Sequence, residues 1–155
     1  MKNKFLVLAL SGFALLGCEK NDDDKESEKT GLLVQQAWKF ETAGIDMDKN
    51  GTLDATFPAG TLQTCLTDNT ITFAANGSGT VAEGATKCDP AAPDSTPFTW
   101  AFASNETTIN FTGNVIAGTE GGQFRIVNLT STQLSLSKDT TYMGVPVAMV
   151  ANFTH

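Results

Sequence analysis

The chain has 155 residues, with 10 basic and 17 acidic side chains and a formal net charge of −7 at neutral pH. This acidic balance argues against the functions that need a basic surface, which are binding to nucleic acid and to anionic lipid. The length allows one domain of ordinary size with a processed segment before it. We therefore predict one folded domain, at residues 32–155.

The amino terminus has the pattern of a bacterial lipoprotein signal. Lys2 and Lys4 precede an apolar run that is too short to span a bilayer, as in a secretory signal peptide. The run ends in Leu15-Leu16-Gly17-Cys18, a lipobox, in which the thiol takes a diacylglycerol and cleavage leaves the cysteine first. We predict a signal peptide at 1–17 and an acyl anchor on Cys18, against the alternative of an ordinary secretory signal.

The segment that follows is predicted to be a disordered acidic tether over residues 18–31. It has no apolar side chain after the cysteine, so it cannot offset its ordering entropy by burial. Loss of the signal would leave 8 basic and 17 acidic residues, a mature charge of −9. A lysine followed by clustered acids also resembles the export signal of some surface lipoproteins. Both faces of the outer membrane, periplasmic and cell-surface, therefore stay open as locations.

Alternation of apolar and polar residues dominates the rest of the chain and predicts β-strands. Phe98, Trp100 and Phe102 share one parity, and turn signals such as Asn76-Gly77 separate the runs. Eight strands are predicted, near residues 36–44, 69–75, 78–83, 97–103, 107–112, 122–129, 133–138 and 145–154. Short successive strands favour an antiparallel up-and-down barrel, in which closure removes the exposed edges. An open two-sheet sandwich is the alternative.

Two further features belong to the connections. Asp89–Pro97 is predicted to be a loop, because proline cannot donate to a ladder. Cys65 and Cys88 are the two cysteines left when Cys18 is acylated. In an oxidising compartment they are expected to form a disulfide, with metal binding as the weaker alternative.

The order of these residues resembles the bacterial lipocalin-like lipoprotein domains over about 36–155. The resemblance rests on Trp38 in the first strand, an acidic-Gly turn at 46–54, the two cysteines, Phe98-Thr99-Trp100 and the closing Leu134-Ser135-Leu136. It implies a lipocalin-like barrel. The chain departs from the Gly-x-Trp of true lipocalins, since it has Gln36-Ala37-Trp38.

The turn at 46–54 is a candidate calcium loop. Calcium prefers six or more oxygen ligands, and Gly51 allows the sharp turn that aims them inward. The predicted ligands stand at alternate positions: Asp46, Asp48, Asn50, the carbonyl of Thr52, and Asp54. Phe57 replaces the twelfth-position glutamate of an EF-hand, and no helices flank the loop. The alternative is a hairpin turn with solvated acids.

The barrel interior is the second candidate site. The residues predicted to line a cavity for a small hydrophobic molecule are Trp38, Phe73, Trp100, Phe111 and Phe124. A packed core is the alternative for these aromatic residues. Arg125 has the opposite parity to Phe124 and is predicted to point outward.

The sequence favours a binding protein over an enzyme. His155 is the only histidine and is the last residue of the sequence, so no Ser-His or Cys-His arrangement is indicated. The hypotheses are a carrier or sensor of a small apolar molecule, a surface module that binds protein or glycan, and a hydrolase with a carboxylate pair across the mouth. We expect a monomer and no cofactor other than calcium.

Overall fold

A computed structural model describes residues 27–116 and 119–155. The predicted signal peptide, Cys18 and most of the predicted tether lie outside these residues. The described part contains these helices and strands: α1 (Glu28–Val34), β1 (Trp38–Asp46), β2 (Ala55–Thr56), α2 (Thr64–Thr67), β3 (Thr70–Phe73), β4 (Ser78–Ala82), β5 (Ser95–Ala103), β6 (Thr108–Thr112), β7 (Gly122–Leu129), β8 (Gln133–Tyr142) and β9 (Val145–Thr154).

The strands form one antiparallel sheet that closes on itself. Neighbours in the sheet follow chain order from β3 to β9, and β1 pairs with both β3 and β9. The closing seam is long, with pairs from Lys39–Thr154 to Asp46–Ala148. The predicted eight-strand up-and-down barrel is therefore confirmed, and β2 is an extra two-residue strand on the edge of β1.

The prediction that Asp89–Pro97 is entirely a loop is wrong, because β5 begins at Ser95. Trp100 N–H donates to Gly77 O on the β4 side, whereas Thr99 N–H donates to Thr112 Oγ1 of β6. By the alternation of a strand, the Pro97 nitrogen faces the β6 side. The first β5–β6 pair is Thr99–Thr112, so β6 has no residue paired with Pro97. The missing N–H of Pro97 therefore costs no ladder hydrogen bond.

The tether prediction is wrong for its last residues, because Glu28–Gly31 belong to α1. Ser27 caps this helix through its hydroxyl, which accepts from Thr30 N–H at 3.0 Å. Leu33 then enters the barrel and is buried, and Trp38 Nε1–H donates to its carbonyl at 2.9 Å. Leu33, together with the partly buried Val34 that packs against the core, thus supplies burial that orders the helix.

The two ends of the barrel differ. At one end the connections are short, at 74–77, 104–107 and 130–132. Helix α1 covers this closed end, since Lys29 Nζ donates to Glu106 O and Gln35 Nε2 donates to Ser131 O. The long connections, 47–54, 57–69, 83–94 and 113–121, lie at the opposite, open end.

The loop at 47–54 folds back over the outer wall. Arg125 Nη1 donates to Lys49 O at 3.2 Å, and the Lys49 ammonium lies 3.1 Å from Asp139 Oδ2. Gly51 is tight against Val127 of β7, where an added Cβ would lie 2.8 Å from a side-chain methyl. The loop therefore crosses β9 and β8 to reach β7, which accounts for the burial of the outward-facing Val150.

Candidate functional site

The five aromatic residues predicted to line a cavity form the packed core instead. Phe73 contacts the rings of Trp100 and Phe111, and also that of Phe98, with centroids 5.4 to 6.0 Å apart. Phe111 also lies 5.5 Å from Phe124, and Trp38 is completely buried at the closed end. The aromatic side chains fill this part of the barrel, which corresponds to the packed-core alternative.

A mostly apolar space lies beyond this core, at the open end of the barrel. It is a pocket of about 320 Å³ between the 57–69 and 113–121 connections. Its apolar lining residues are Phe40, Leu66, Ile71, Val81, Val115, Ile116 and Phe153, and its polar ones are Asn69, Asn114, Thr119 and Glu120. A mostly apolar pocket of this size with a few polar groups has the composition of a small-molecule site.

The floor of the pocket comes from the seam that closes the barrel. Phe40 of β1 pairs with Phe153 of β9, and their rings meet edge to face with centroids 6.2 Å apart. A bulge between Phe40 and Thr42 then shifts the register of β1. Because of this shift Phe40 and Ala43 both point inward, and Phe40 stays at the base of the pocket.

One wall of the pocket is held by the disulfide between Cys65 and Cys88, which the structure confirms. The bond ties α2 to the 83–94 connection, with the Cα atoms 5.1 Å apart. Asn69 Oδ1 accepts from Gly84 N–H at 2.8 Å, and Asp68 Oδ2 accepts from Thr86 N–H at 2.9 Å. These bonds fix the segment that carries the lining residue Leu66.

The opposite wall is the 113–121 connection, which folds inward. Val115 and Ile116 are buried and join the core. Ile116 O accepts from both the N–H and the hydroxyl of Thr119. Lys138 Nζ donates to Glu120 O and Gly121 O at 2.8 and 2.9 Å, and lies 4.9 Å above the Phe124 ring. An inward lysine of β8 thus holds this wall in place.

The structure brings together three of the predicted calcium ligands. Asp46, Asp48 and Asp54 each offer a carboxylate oxygen, and these oxygens lie within 4.8 Å of one another. Such a cluster is a set of residues that could hold a metal ion. Asn50 lies beside it, since its amide donates to Asp48 Oδ2 and its Oδ1 accepts from the exposed Thr52 N–H.

Asp46 organises the loop. It is completely buried, and its carboxylate accepts from Gly51 N–H at 2.7 Å and from Asn50 N–H at 3.2 Å. Burial raises the pKa of Asp46, but the hydrogen bonds from the Gly51 and Asn50 backbone outweigh it, so the pKa is lower than usual. The guanidinium of Arg125, outward as predicted, lies 4.0 Å from Asp46 Oδ2. Asp46 is therefore anionic at neutral pH.

Sequence reasoning missed most of the residues around the pocket. Phe40 shares the parity of Trp38, so alternation along the first strand predicts that its side chain points into the barrel. Asn69 and Glu120 lie in connections, where no periodic pattern indicates direction.

Residues 34–136 match the lipocalin-like domain family, and the chain belongs to that family. The match runs from the end of α1 into β8, which confirms the lipocalin-like part of the resemblance drawn from the strands and turns. No curated protein matches the chain. Among the described residues, neither helix has the length and apolar character that crossing a bilayer requires.

Proposed function

We propose that the protein binds a small, largely apolar molecule in the pocket at the open end of the barrel. The observation that carries this proposal is the pocket itself, about 320 Å³ with seven apolar side chains among those that line it. Membership of the lipocalin-like family supports a binding role over a catalytic one. Because aromatic side chains fill the barrel interior nearer the closed end, we place the ligand in the pocket at the open end.

We further propose that the protein is lipid-anchored through Cys18 and acts outside the cytoplasm, at the outer membrane. The lipobox and the preceding apolar run support the anchor. A disulfide between Cys65 and Cys88 supports an oxidising compartment.

A pocket-filling substitution tests the binding role. Val81→Phe, on the pocket side of β4, is expected to abolish saturable uptake of an apolar fluorescent dye by the purified protein. The matched control is Thr72→Phe, which places the same ring on the exposed face of β3. Equal dye affinity in wild type and Val81→Phe, both folded by circular dichroism, would rule out the pocket.

A second candidate function is that of a surface interaction module with a calcium-ordered loop. The convergence of Asp46, Asp48 and Asp54 favours it, because calcium prefers oxygen ligands and these three carboxylates each offer an oxygen within 4.8 Å of the others. Titration calorimetry with calcium chloride is expected to show heat of binding for the wild type. The Asp48→Asn variant should show none, and the control Glu41→Gln, at an exposed position of β1, should show the same heat as the wild type. No heat at millimolar calcium would dismiss this function.

A further inference from the structure

The charge around the pocket is asymmetric. Among the described residues that line it, Glu120 is the only one with an ionisable side chain. Its carboxylate is exposed and takes part in no hydrogen bond or ion pair with the described residues. The described lining residues therefore carry one negative charge and no positive one.

One lysine contacts this wall without lining the pocket. Lys138 donates to the carbonyls of Glu120 and Gly121 and lies over the Phe124 ring. It forms no ion pair with the Glu120 carboxylate and is not among the lining residues. A ligand carboxylate would therefore find no cation among the described lining residues and would face Glu120 in a chain of net charge −7.

The size of the pocket limits the apolar part of the ligand. A volume of about 320 Å³ is that of about ten water molecules in the liquid. It suits a ring or a short chain as the part of the ligand that the pocket holds. Phe40, Ile71 and Phe153 contribute apolar surface for such a body, and Asn69, Asn114 and Glu120 are among the polar residues that line the same pocket.

We infer that the ligand is a small cationic amphiphile, a protonated amine on a compact apolar body, with the ammonium group placed at Glu120. This inference rests on the proposed binding function and names the chemical class of the ligand for the same pocket. It also makes the pocket selective against carboxylates of the same shape.

Three probes of one skeleton test the charge preference: 4-phenylbutylamine, 4-phenylbutan-1-ol and 4-phenylbutanoate, titrated into the purified protein and followed by amide chemical shifts. The amine is expected to bind more tightly than the alcohol by about two- to fivefold, the range of an exposed ion pair. The carboxylate is expected to bind most weakly. The differences should shrink as sodium chloride is raised from low to high concentration.

A matched pair of variants assigns the effect. Glu120→Gln is expected to remove the preference for the amine and to leave the alcohol unchanged. Glu106→Gln makes the same charge change at the closed end and is expected to change neither. Saturable alcohol binding without a preference for the amine would overturn this inference and leave the binding function standing. Failure of all three probes to bind would overturn both.

Discussion

Asp46 shows how a single buried carboxylate can organise a surface loop. Its two N–H donors are the backbone groups of Asn50 and Gly51. Substitution Asp46→Ala removes the acceptor of Gly51 N–H, whereas Asn50 N–H keeps its bond to Asp48 Oδ1 at 3.2 Å. We expect a loss of about 1 to 3 kcal/mol in the free energy of unfolding, measured with urea. Glu41→Ala, at an exposed position of β1, should lower the free energy of unfolding by less than about 0.5 kcal/mol.

The same carboxylate predicts a pH dependence. The pKa of Asp46 is lower in the folded state than in the unfolded one. Its contribution to stability is therefore complete above the unfolded pKa, near about 4, and is lost as the pH falls toward the folded pKa. The midpoint temperature of thermal unfolding of the wild type should fall more steeply below about pH 4 than the midpoint temperature of Asp46→Asn does. Parallel curves for the two proteins would contradict this role.

At single positions, burial and exposure were easier to predict than ligand contact. Parity correctly placed Phe73, Trp100 and Phe111 inside and Arg125 outside, since a strand alternates whatever its partners are. It did not separate a packed ring from one that borders free space. That difference depends on how the 57–69 and 113–121 connections fold over the mouth, which has no period in the sequence.

Leu33 is the fully buried side chain through which helix α1 joins the core. Leu33 is 1% exposed and belongs to the core, whereas Leu32 on the same helix is only half-buried. Leu33→Ala should therefore cost about 2 to 4 kcal/mol in the free energy of unfolding. Leu32→Ala is the matched control and should cost clearly less. Similar losses for both, by urea unfolding, would mean that α1 does not close the barrel as described.

The disulfide links stability to the pocket. Replacing Cys65 and Cys88 together with serine releases α2 from the 83–94 connection and should lower stability by about 3 kcal/mol. Because Leu66 and Asn69 belong to the released segment, affinity for the apolar dye should also fall. A variant that remains folded and binds the dye as tightly as wild type would show that the bond does not shape the pocket.

The elements themselves were largely predictable, and the errors have physical causes. Strands were recognised from alternation, but β8 extends to Tyr142, beyond the predicted end at 138, because β9 pairs with it along its whole length. Helix α1 was missed since its order comes from contacts with distant turns, such as Gln35 with Ser131. Long-range partners of this kind leave little trace in a local pattern.

For the whole molecule, the position of the entering chain predicts an orientation. The chain reaches the barrel at the closed end, through α1, and the pocket lies at the other end. With Cys18 acylated as proposed, nine residues, 19–27, separate the anchor from the start of α1. The closed end should then lie nearer the membrane than the mouth does.

A fluorophore at Ser131, in a closed-end turn, should therefore be quenched more strongly by brominated lipids than one at Met143, at the tip of the β8–β9 hairpin. The measurement uses the lipidated protein in vesicles. The Cys18→Ser protein, added to the same vesicles, should show little quenching at either position. Stronger quenching at Met143 than at Ser131 would contradict the orientation.

The unequal connections have a consequence for sequence change. The turns at 74–77, 104–107 and 130–132 have no room for insertions without disturbing strand register or the contacts of α1. The connections at 57–69 and 113–121 carry most of the polar rim and sit on a floor that the seam of β1 and β9 supplies independently. Relatives with other ligands should therefore differ in the length and polarity of these two segments, while the residues beneath them keep their size.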